Sequence, residues 1–319
     1  MTTLSRILTT LFFVVTTFLF LFFYEGDILY VVQNMLAEGK THYDDTIGAI
    51  LITLVMYLIH LFIVAVTGLR TVGFGLTFFP SILLLSLLVL LRPETNVRLS
   101  YIVVASLLTL LFLFGVWFCR QMSSIPTKDT EKFKFLKSLW VDLTLIIIPI
   151  ILLWGLTDAS DVYHHRVRSE RLILAGRAAD VIDVGRNTKE IDKSLTALRI
   201  YSMAVSGQLG VSLFTIPINI KGEDVLPVGS DVHFLLLHRD SLLRSLGVDP
   251  RIGNTTKERL KYALRRDDTR QVAADLLLSS LLIDGRVDEF AIELPKYYAI
   301  NDSLPRYFRE AVSEMINVE

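Results

Sequence analysis

The chain has 319 residues, of which 52% are hydrophobic, and a mean hydropathy of +0.51. It is therefore too apolar for one ordinary soluble domain. The formal net charge of −1 at pH 7 gives no electrostatic support to nucleic-acid binding. Cys119 is the only cysteine, which excludes an intrachain disulfide.

The first half of the chain contains five apolar segments that are long enough to cross a bilayer, which requires about 20 residues of helix. They cover residues 7–24, 46–69, 71–91, 99–119 and 139–156. The sequence thus predicts a transmembrane domain over 1–156 built as a five-helix bundle. Pro80 predicts a kink in the third span. The stretch ILYVVQNML, residues 28–36, is too short to cross and predicts a separate interfacial or re-entrant piece.

The distribution of Lys and Arg between the short loops predicts the orientation of the spans. An N-terminus in the cytoplasm places seven of these residues inside and three outside. With five crossings, the polar half then lies on the opposite side. The sequence predicts a multi-pass membrane protein whose N-terminus is cytoplasmic and whose C-terminal domain lies outside the cytoplasm.

Two ionisable residues fall inside the predicted spans, His60 in the second and Asp142 in the fifth. Ionisable groups in lipid are candidates for a proton or ion path. The favoured interpretation is structural, with a neutral His60 bonded to a neighbour and Asp142 at headgroup depth near Lys137. The five dissimilar spans show no internal repeat, which counts against a transporter.

A cluster with metal-ligand chemistry follows the last span, in the sequence TDASDVYHH. It contains Asp158, Asp161, His164 and His165. Asp161 could share a helical face with either histidine, but adjacent histidines point in different directions on a helix. A solvated turn is favoured, and no nucleotide-binding, metalloprotease or hydrolase motif is present. We expect no catalytic residue, no metal site and no cofactor.

Residues 157–319 have the pattern of a soluble domain made of amphipathic helices with glycine turns between them. The turns are placed near Gly176, Gly207, Gly247 and Gly285, the last in LLIDGRVDEF, at spacings of 31, 40 and 38 residues. Helix pairs at such spacings predict an all-α chain that ends in an α-solenoid, a tetratricopeptide-like helical repeat. Asp268, with Gln271 three residues on, predicts the start of one helix. The segment FTIPINIKGEDVLPVGS, 214–230, predicts an extended packed connector.

Four patches of sequence carry a resemblance to a known family: NMLAEGKTHYDDTIGAILITLVMYLIHL, IYSMAVSGQLGVSLF, LLIDGRVDEFAIELPKYY and NDSLPRYFREAV. They resemble an uncharacterised family of multi-pass membrane proteins of Gram-negative bacteria. The resemblance implies several N-terminal spans followed by a tetratricopeptide-like helical region. It implies no activity and no functional residues.

These patterns favour one function and leave two others open. The favoured function is a membrane-anchored scaffold whose helical-repeat domain binds a protein or peptide, because such domains bind through extended contacts without reactive residues. The first alternative is a membrane enzyme or transporter that uses His60 and Asp142 or the Asp158–His165 cluster. The second is a structural subunit of a larger envelope complex. The lipid bilayer is the expected partner of the first half in every case.

Overall fold

A computed structural model describes residues 2–69, 73–90, 99–123, 131–156, 161–186, 188, 192–229 and 231–318. In this part of the chain every regular element is helical, with 14 α-helices and no strand, which confirms the all-α prediction. The chain forms two compact units, here called unit 1 (Met1–Asp158) and unit 2 (Ala159–Glu319).

Unit 1 begins with one long helix instead of a span followed by a separate interfacial piece. Helix α1 (Thr2–Phe20) passes through a π-helical turn (Leu21–Glu25) into α2 (Gly26–Leu36). Gly26 has helical angles, with φ −53° and ψ −43°, and so continues the helix. The prediction that residues 28–36 form a separate element is therefore wrong. The reason is that glycine permits a turn but does not impose one.

Helix α3 (Asp45–Thr67) is a second candidate membrane span. The Asp44 carboxylate caps its start by accepting from the backbone nitrogens of Thr46 and Ile47 at 3.0 and 2.8 Å. Gly68 ends it in the left-handed region with φ 68°. Its polar start and glycine end agree with the second predicted span.

The third predicted span, 71–91, is broken. A 3-10 segment (Phe74–Phe78) precedes helix α4 (Phe79–Leu90), whose 12 described residues are too few to cross a bilayer as a helix. Pro80 is the second residue of α4, a position in the first turn where proline removes no helical hydrogen bond, so the predicted kink is wrong. All five residues of the 3-10 segment are buried, so protein covers the irregular backbone.

Helices α5 (Leu99–Ser123) and α6 (Glu131–Leu156) complete unit 1. In the described part of the chain three helices are long and apolar enough to span a membrane, Thr3–Leu36, Asp45–Thr67 and Val103–Gln121. The prediction of five membrane spans is therefore wrong for the described part of the chain. The fifth predicted span lies within α6, but the side chains after residue 151 are outside the described ones. Phe13, Phe78 and Ile146 are fully buried and tie α1, the 3-10 segment and α6 into one core.

Unit 2 contains eight described helices, two of which are central. They are α7 (Asp161–Leu174), α8 (Lys193–Val205), α9 (Leu209–Ser212), α10 (Arg239–Ser245), α11 (Thr256–Ala263), α12 (Arg270–Ile283), α13 (Val287–Glu293) and α14 (Arg306–Val318). Helices α8 and α12 are buried along most of their length. Residues such as Leu198 and Leu276 have no exposed surface, which makes these two helices the core of the unit.

The four predicted glycine turns of unit 2 share one geometry. Their φ values are 73°, 68°, 75° and 68° at Gly176, Gly207, Gly247 and Gly285. At each, the glycine N–H donates to the carbonyl three residues back and the following N–H donates five residues back, over 2.8–3.2 Å. This pair of hydrogen bonds is the Schellman motif, which ends a helix. The prediction of the turns is confirmed.

Two further local predictions concern the start of α12 and the connector after α9. Helix α12 begins at Arg270 with Thr269 at its N-cap and no side-chain cap bond, so the predicted cap at Asp268 is wrong. The side chain of Gln271 instead bonds to Asp275 and Tyr298, so it does not form the predicted capping box. The described part of the connector, 214–229, is packed, with Val225 and Leu226 buried, which confirms the predicted packing. Its predicted extended form is wrong at Gly222–Val225, which is a 3-10 turn.

The packing of unit 2 also joins distant parts of its sequence. Helix α9 contacts α14, where the Phe214 and Tyr307 rings meet edge to face at 5.1 Å. A Cβ on Gly210 would lie 2.6 Å from a carbon of Pro305, so the two chain segments touch closely. In a strict one-dimensional repeat array, each repeat contacts only the repeats next to it. The helical repeat therefore stays a prediction, within a unit whose core is shared.

Candidate functional site

His60, predicted as a candidate for proton chemistry, lies inside the core of unit 1. Its ring stacks on Phe78 at 3.7 Å between centroids, and Phe74 meets it edge-on at 5.3 Å. Its Nδ1 is 2.9 Å from the hydroxyl of Thr77, which also donates to the carbonyl of Phe74 at 2.6 Å. The imidazole thus packs against protein aromatics and bonds to the 3-10 segment.

Asp142 binds the same 3-10 segment from helix α6. Its Oδ1 accepts from the backbone nitrogen of Gly75 at 2.9 Å, and its Oδ2 accepts from the Ser138 hydroxyl at 3.3 Å. A Cβ on Gly75 would lie 2.3 Å from the carbonyl oxygen of Asp142, so only glycine allows this approach. The carboxylate acts as a cap that satisfies a backbone N–H where the helix is broken.

The two intramembrane candidates therefore meet one structural element. His60 bonds to Thr77, and Asp142 bonds to Gly75, two residues earlier. Their polar atoms stabilise a backbone irregularity, which is what buried polar groups in a membrane domain require. This placement supports a structural role for both residues. It agrees with the favoured interpretation of His60 as bonded to a neighbour, whereas the headgroup depth of Asp142 near Lys137 stays a prediction.

The candidate metal cluster is dispersed over helix α7. Asp158 lies outside the described residues. Asp161 is exposed at the start of α7, while His164 is half-buried against the Tyr163 ring at 6.0 Å. The His165 ring lies against Gly185, where an added Cβ would lie 2.5 Å from it. Burial lowers the pKa of His165, and nearby Asp161 opposes this. Among the described residues, no three His, Cys, Asp or Glu side chains could hold a metal.

Sequence reasoning missed a buried carboxylate in unit 2. Glu170 on α7 is fully buried and accepts from the backbone nitrogens of Leu235, Leu236 and Leu237 at 2.6–3.0 Å. Burial raises the pKa of Glu170, against the opposing influence of these N–H donors and of Arg166. Three successive N–H groups form a concave anion site, and here a side chain of the same unit fills it.

A second buried polar network joins α12 to the segment after α13. The hydroxyl of Tyr298 donates to Oδ1 of Asp275 at 2.5 Å, and the Gln271 amide contacts both. Burial raises the pKa of Asp275, while the bonds from Tyr298 and Gln271 lower it. Asp275 has 6% of its surface exposed, so this network fixes the position of the residues that surround it.

A cleft of about 260 Å³ opens beside this network, and we call it the α12 cleft. Its walls come from the first turns of α12 and from the 3-10 turn Leu294–Lys296 with the following tyrosine. The lining side chains are Asp267, Arg270, Gln271, Ala274, Lys296 and Tyr297. The cleft offers charges of both signs, an amide and a phenol ring on a rigid support.

Exposed apolar side chains flank the cleft residues in sequence. Ile292 on α13 and Ile300 after Tyr298 expose 67% and 60% of their surface. Arginine and tyrosine are the residues that contribute most to protein interfaces, and an apolar neighbour adds contact area. The chemistry of this region suits a polypeptide with polar and apolar groups.

Comparisons of the chain with family models, curated proteins and solved structures find no match. The resemblance described from the sequence patches therefore stays an expectation.

Proposed function

We propose that the chain is a membrane-anchored scaffold, in which unit 1 holds the protein in a bilayer and unit 2 binds a protein or peptide partner. Three candidate spans in unit 1 support the anchor. A separate apolar core in unit 2, which includes Leu198 and Leu276, supports a binding domain with its own stability. The two halves of the proposal thus correspond to two compact units.

The α12 cleft is the observation that carries the proposal. Arg270 and Lys296 are exposed at its rim, Tyr297 is half-buried, and Gln271 is held by Asp275 and Tyr298. Side chains that are already fixed lose less entropy when a partner binds. Asp267 and Glu293, which pairs with Lys296 at 3.0 Å, add negative charge to this region. A polypeptide with both kinds of charge fits it better than a simple anion.

The proposal includes a fuller architecture for the chain. It has the cytoplasmic N-terminus and the periplasmic C-terminal domain predicted from the loop charges, in the inner membrane of a Gram-negative bacterium. Unit 2 is a tetratricopeptide-like array whose four Schellman turns mark the joints of successive helix pairs. A reporter fused after Glu319 tests the orientation, because a periplasmic reporter is active only if the C-terminus is outside the cytoplasm.

Co-purification of the full chain in mild detergent after chemical cross-linking tests partner binding. The test variant carries Arg270→Glu and Lys296→Glu, which reverse two charges at the cleft. The matched control carries Lys261→Glu and Arg265→Glu, which make the same charge change at exposed positions on and just after α11. We expect the cleft variant alone to lose the cross-linked partner. Equal recovery from both variants would place the partner elsewhere.

A further inference from the structure

Two exposed charged residues that line the α12 cleft, Asp267 and Arg270, have no counter-charge in the described part of unit 2. They form no ion pair with each other, although they are three residues apart and face one cleft. The other charges here are matched among themselves, in the pairs Arg266–Asp268 at 3.3 Å and Lys296–Glu293 at 3.0 Å. The cleft therefore offers one carboxylate and one guanidinium that are both open to a binding partner.

Arg270 stands near the phenol ring of Tyr297 on the other wall of the cleft. Burial and the charge of Glu293 raise the pKa of Tyr297, whereas the positive charges of Lys296 and Arg270 oppose the rise. The stem of a long charged side chain packs along an apolar surface while its charged end stays in water. The half-buried ring thus supplies an apolar contact beside the guanidinium.

Gln271 adds an acceptor whose orientation is fixed. Its Nε2 donates to Oδ1 of Asp275 at 3.2 Å and to the hydroxyl of Tyr298 at 2.5 Å. Because a carboxylate oxygen only accepts, the NH₂ end of the amide must face this network. The carbonyl Oε1 therefore faces the other way, and it bonds to no residue that the structure describes. It is available to a backbone N–H of a segment in the cleft.

These groups match an extended polypeptide segment. Side chains two residues apart on such a segment lie on the same face, about 6.5–7 Å from each other. A basic and an acidic side chain at these positions can reach Asp267 and Arg270 separately, while the backbone donates to Gln271. An inorganic anion would leave Asp267 unmatched, and a simple cation would leave Arg270 unmatched.

We propose that the partner of unit 2 docks in the α12 cleft through an extended segment with a basic and an acidic residue on one face, the basic residue against Asp267 and the acidic residue against Arg270. This inference rests on the proposed function, in which unit 2 binds a polypeptide. It narrows the partner to a protein that exposes a segment of mixed charge.

Saturation-transfer NMR titrations of the full chain in detergent test this recognition with defined probes. The probes are capped heptapeptides of glycine and alanine, whose third and fifth residues are lysine and glutamate, two lysines, two glutamates or two glutamines. We expect wild type to bind the lysine–glutamate peptide about threefold or more tightly than the others, which is the effect of one exposed ion pair. Equal affinity for all four peptides would overturn the proposal.

Charge reversal at either residue is expected to change the preferred peptide. Arg270→Glu leaves two acidic residues at the cleft and should prefer the peptide with two lysines. Asp267→Lys leaves two basic residues and should prefer the peptide with two glutamates. Each variant thus gains a ligand, a result that misfolding cannot produce. Lys261→Glu is the control, because Lys261 is exposed on α11 and does not line the cleft.

The control should keep the preference of wild type for the lysine–glutamate peptide. If Arg270→Glu and Asp267→Lys also keep it, these two residues do not select the segment and the proposal is rejected.

The peptide titrations and the co-purification experiment separate this proposal from the proposed function. If the variant with Arg270→Glu and Lys296→Glu loses its partner while wild type shows no preference among the peptides, the proposed function stands and the mixed-charge recognition fails. If that variant keeps its partner, the partner binds outside the cleft and both proposals fail.

Discussion

Oε2 of Glu170 lies 2.6 Å from the backbone nitrogen of Leu236, which is 66 residues further along the chain. The same oxygen also accepts from the nitrogens of Leu235 and Leu237. One buried carboxylate therefore holds a three-residue segment that has no helix or strand of its own. Its N–H groups would otherwise be left without acceptors, which is costly for buried backbone.

Glu170→Gln should weaken this clamp. The glutamine amide keeps one oxygen as an acceptor, but its NH₂ group faces the backbone N–H groups of residues 235–237 and cannot accept from them. Losing a hydrogen bond to a charged acceptor costs about 1.5–3 kcal/mol of stability. We expect faster hydrogen exchange at residues 235–237 in the full chain in detergent, measured by mass spectrometry. Glu310→Gln, which removes an exposed pair with Arg306, is the control and should leave this exchange unchanged. Protection that survives in Glu170→Gln would show that other acceptors hold the segment.

His165 should make the stability of unit 2 depend on pH. Burial lowers its pKa in the folded chain below the ordinary value of 6.5. The unfolded chain then binds a proton at a pH where the folded chain does not, so stability falls as the pH drops below about 6.5. His165→Gln removes this titration. From pH 7.5 to 5 the melting temperature of wild type should fall relative to that of His165→Gln, and parallel curves would contradict the prediction.

Gly285→Val should destabilise unit 2 by about 1–2 kcal/mol, because the φ of 68° at this position is strained for a side-chain-bearing residue. No atom lies within 4 Å of an added Cβ, so the cost comes from the backbone and not from a clash. Gly285→Asn is the matched variant, since asparagine tolerates this conformation better. The full chain is unfolded in denaturant and digested with trypsin, and the peptides released from unit 2 report its unfolding. The resistance of unit 2 to denaturant should decrease in the order glycine, asparagine, valine at position 285.

The accuracy of the sequence predictions follows from how local their physical causes are. The turn at Gly285 depends on the steric freedom of one residue and on the hydrogen bonds at the end of its own helix. A local stretch of sequence is therefore enough to predict it. The span 45–67 is likewise readable from hydropathy and length. Both features depend on no distant part of the chain.

The missed features depend on contacts far apart in sequence. The break at Phe74–Phe78 is stabilised by Asp142 on α6, and hydropathy does not detect a backbone irregularity. The Glu170 clamp joins residues 65–67 positions apart. Gln271, which the local pattern assigns to a cap, bonds to Tyr298 in another segment. Arg166 and Glu170 are opposite charges four residues apart on a helix. This spacing predicts an ion pair on the surface and not a buried acceptor.

Asp142 and Gly75 give a direct test of whether the intramembrane carboxylate is structural. Asp142→Asn keeps an oxygen that accepts from the Gly75 nitrogen, and Asp142→Leu removes it while filling the volume. A buried N–H left without its acceptor costs about 1–3 kcal/mol. We expect Asp142→Asn to melt close to wild type in detergent and Asp142→Leu to melt several degrees lower. If the two variants instead melt alike, the carboxylate oxygen is not what supports the broken segment, and Asp142 becomes a stronger candidate for chemistry with His60.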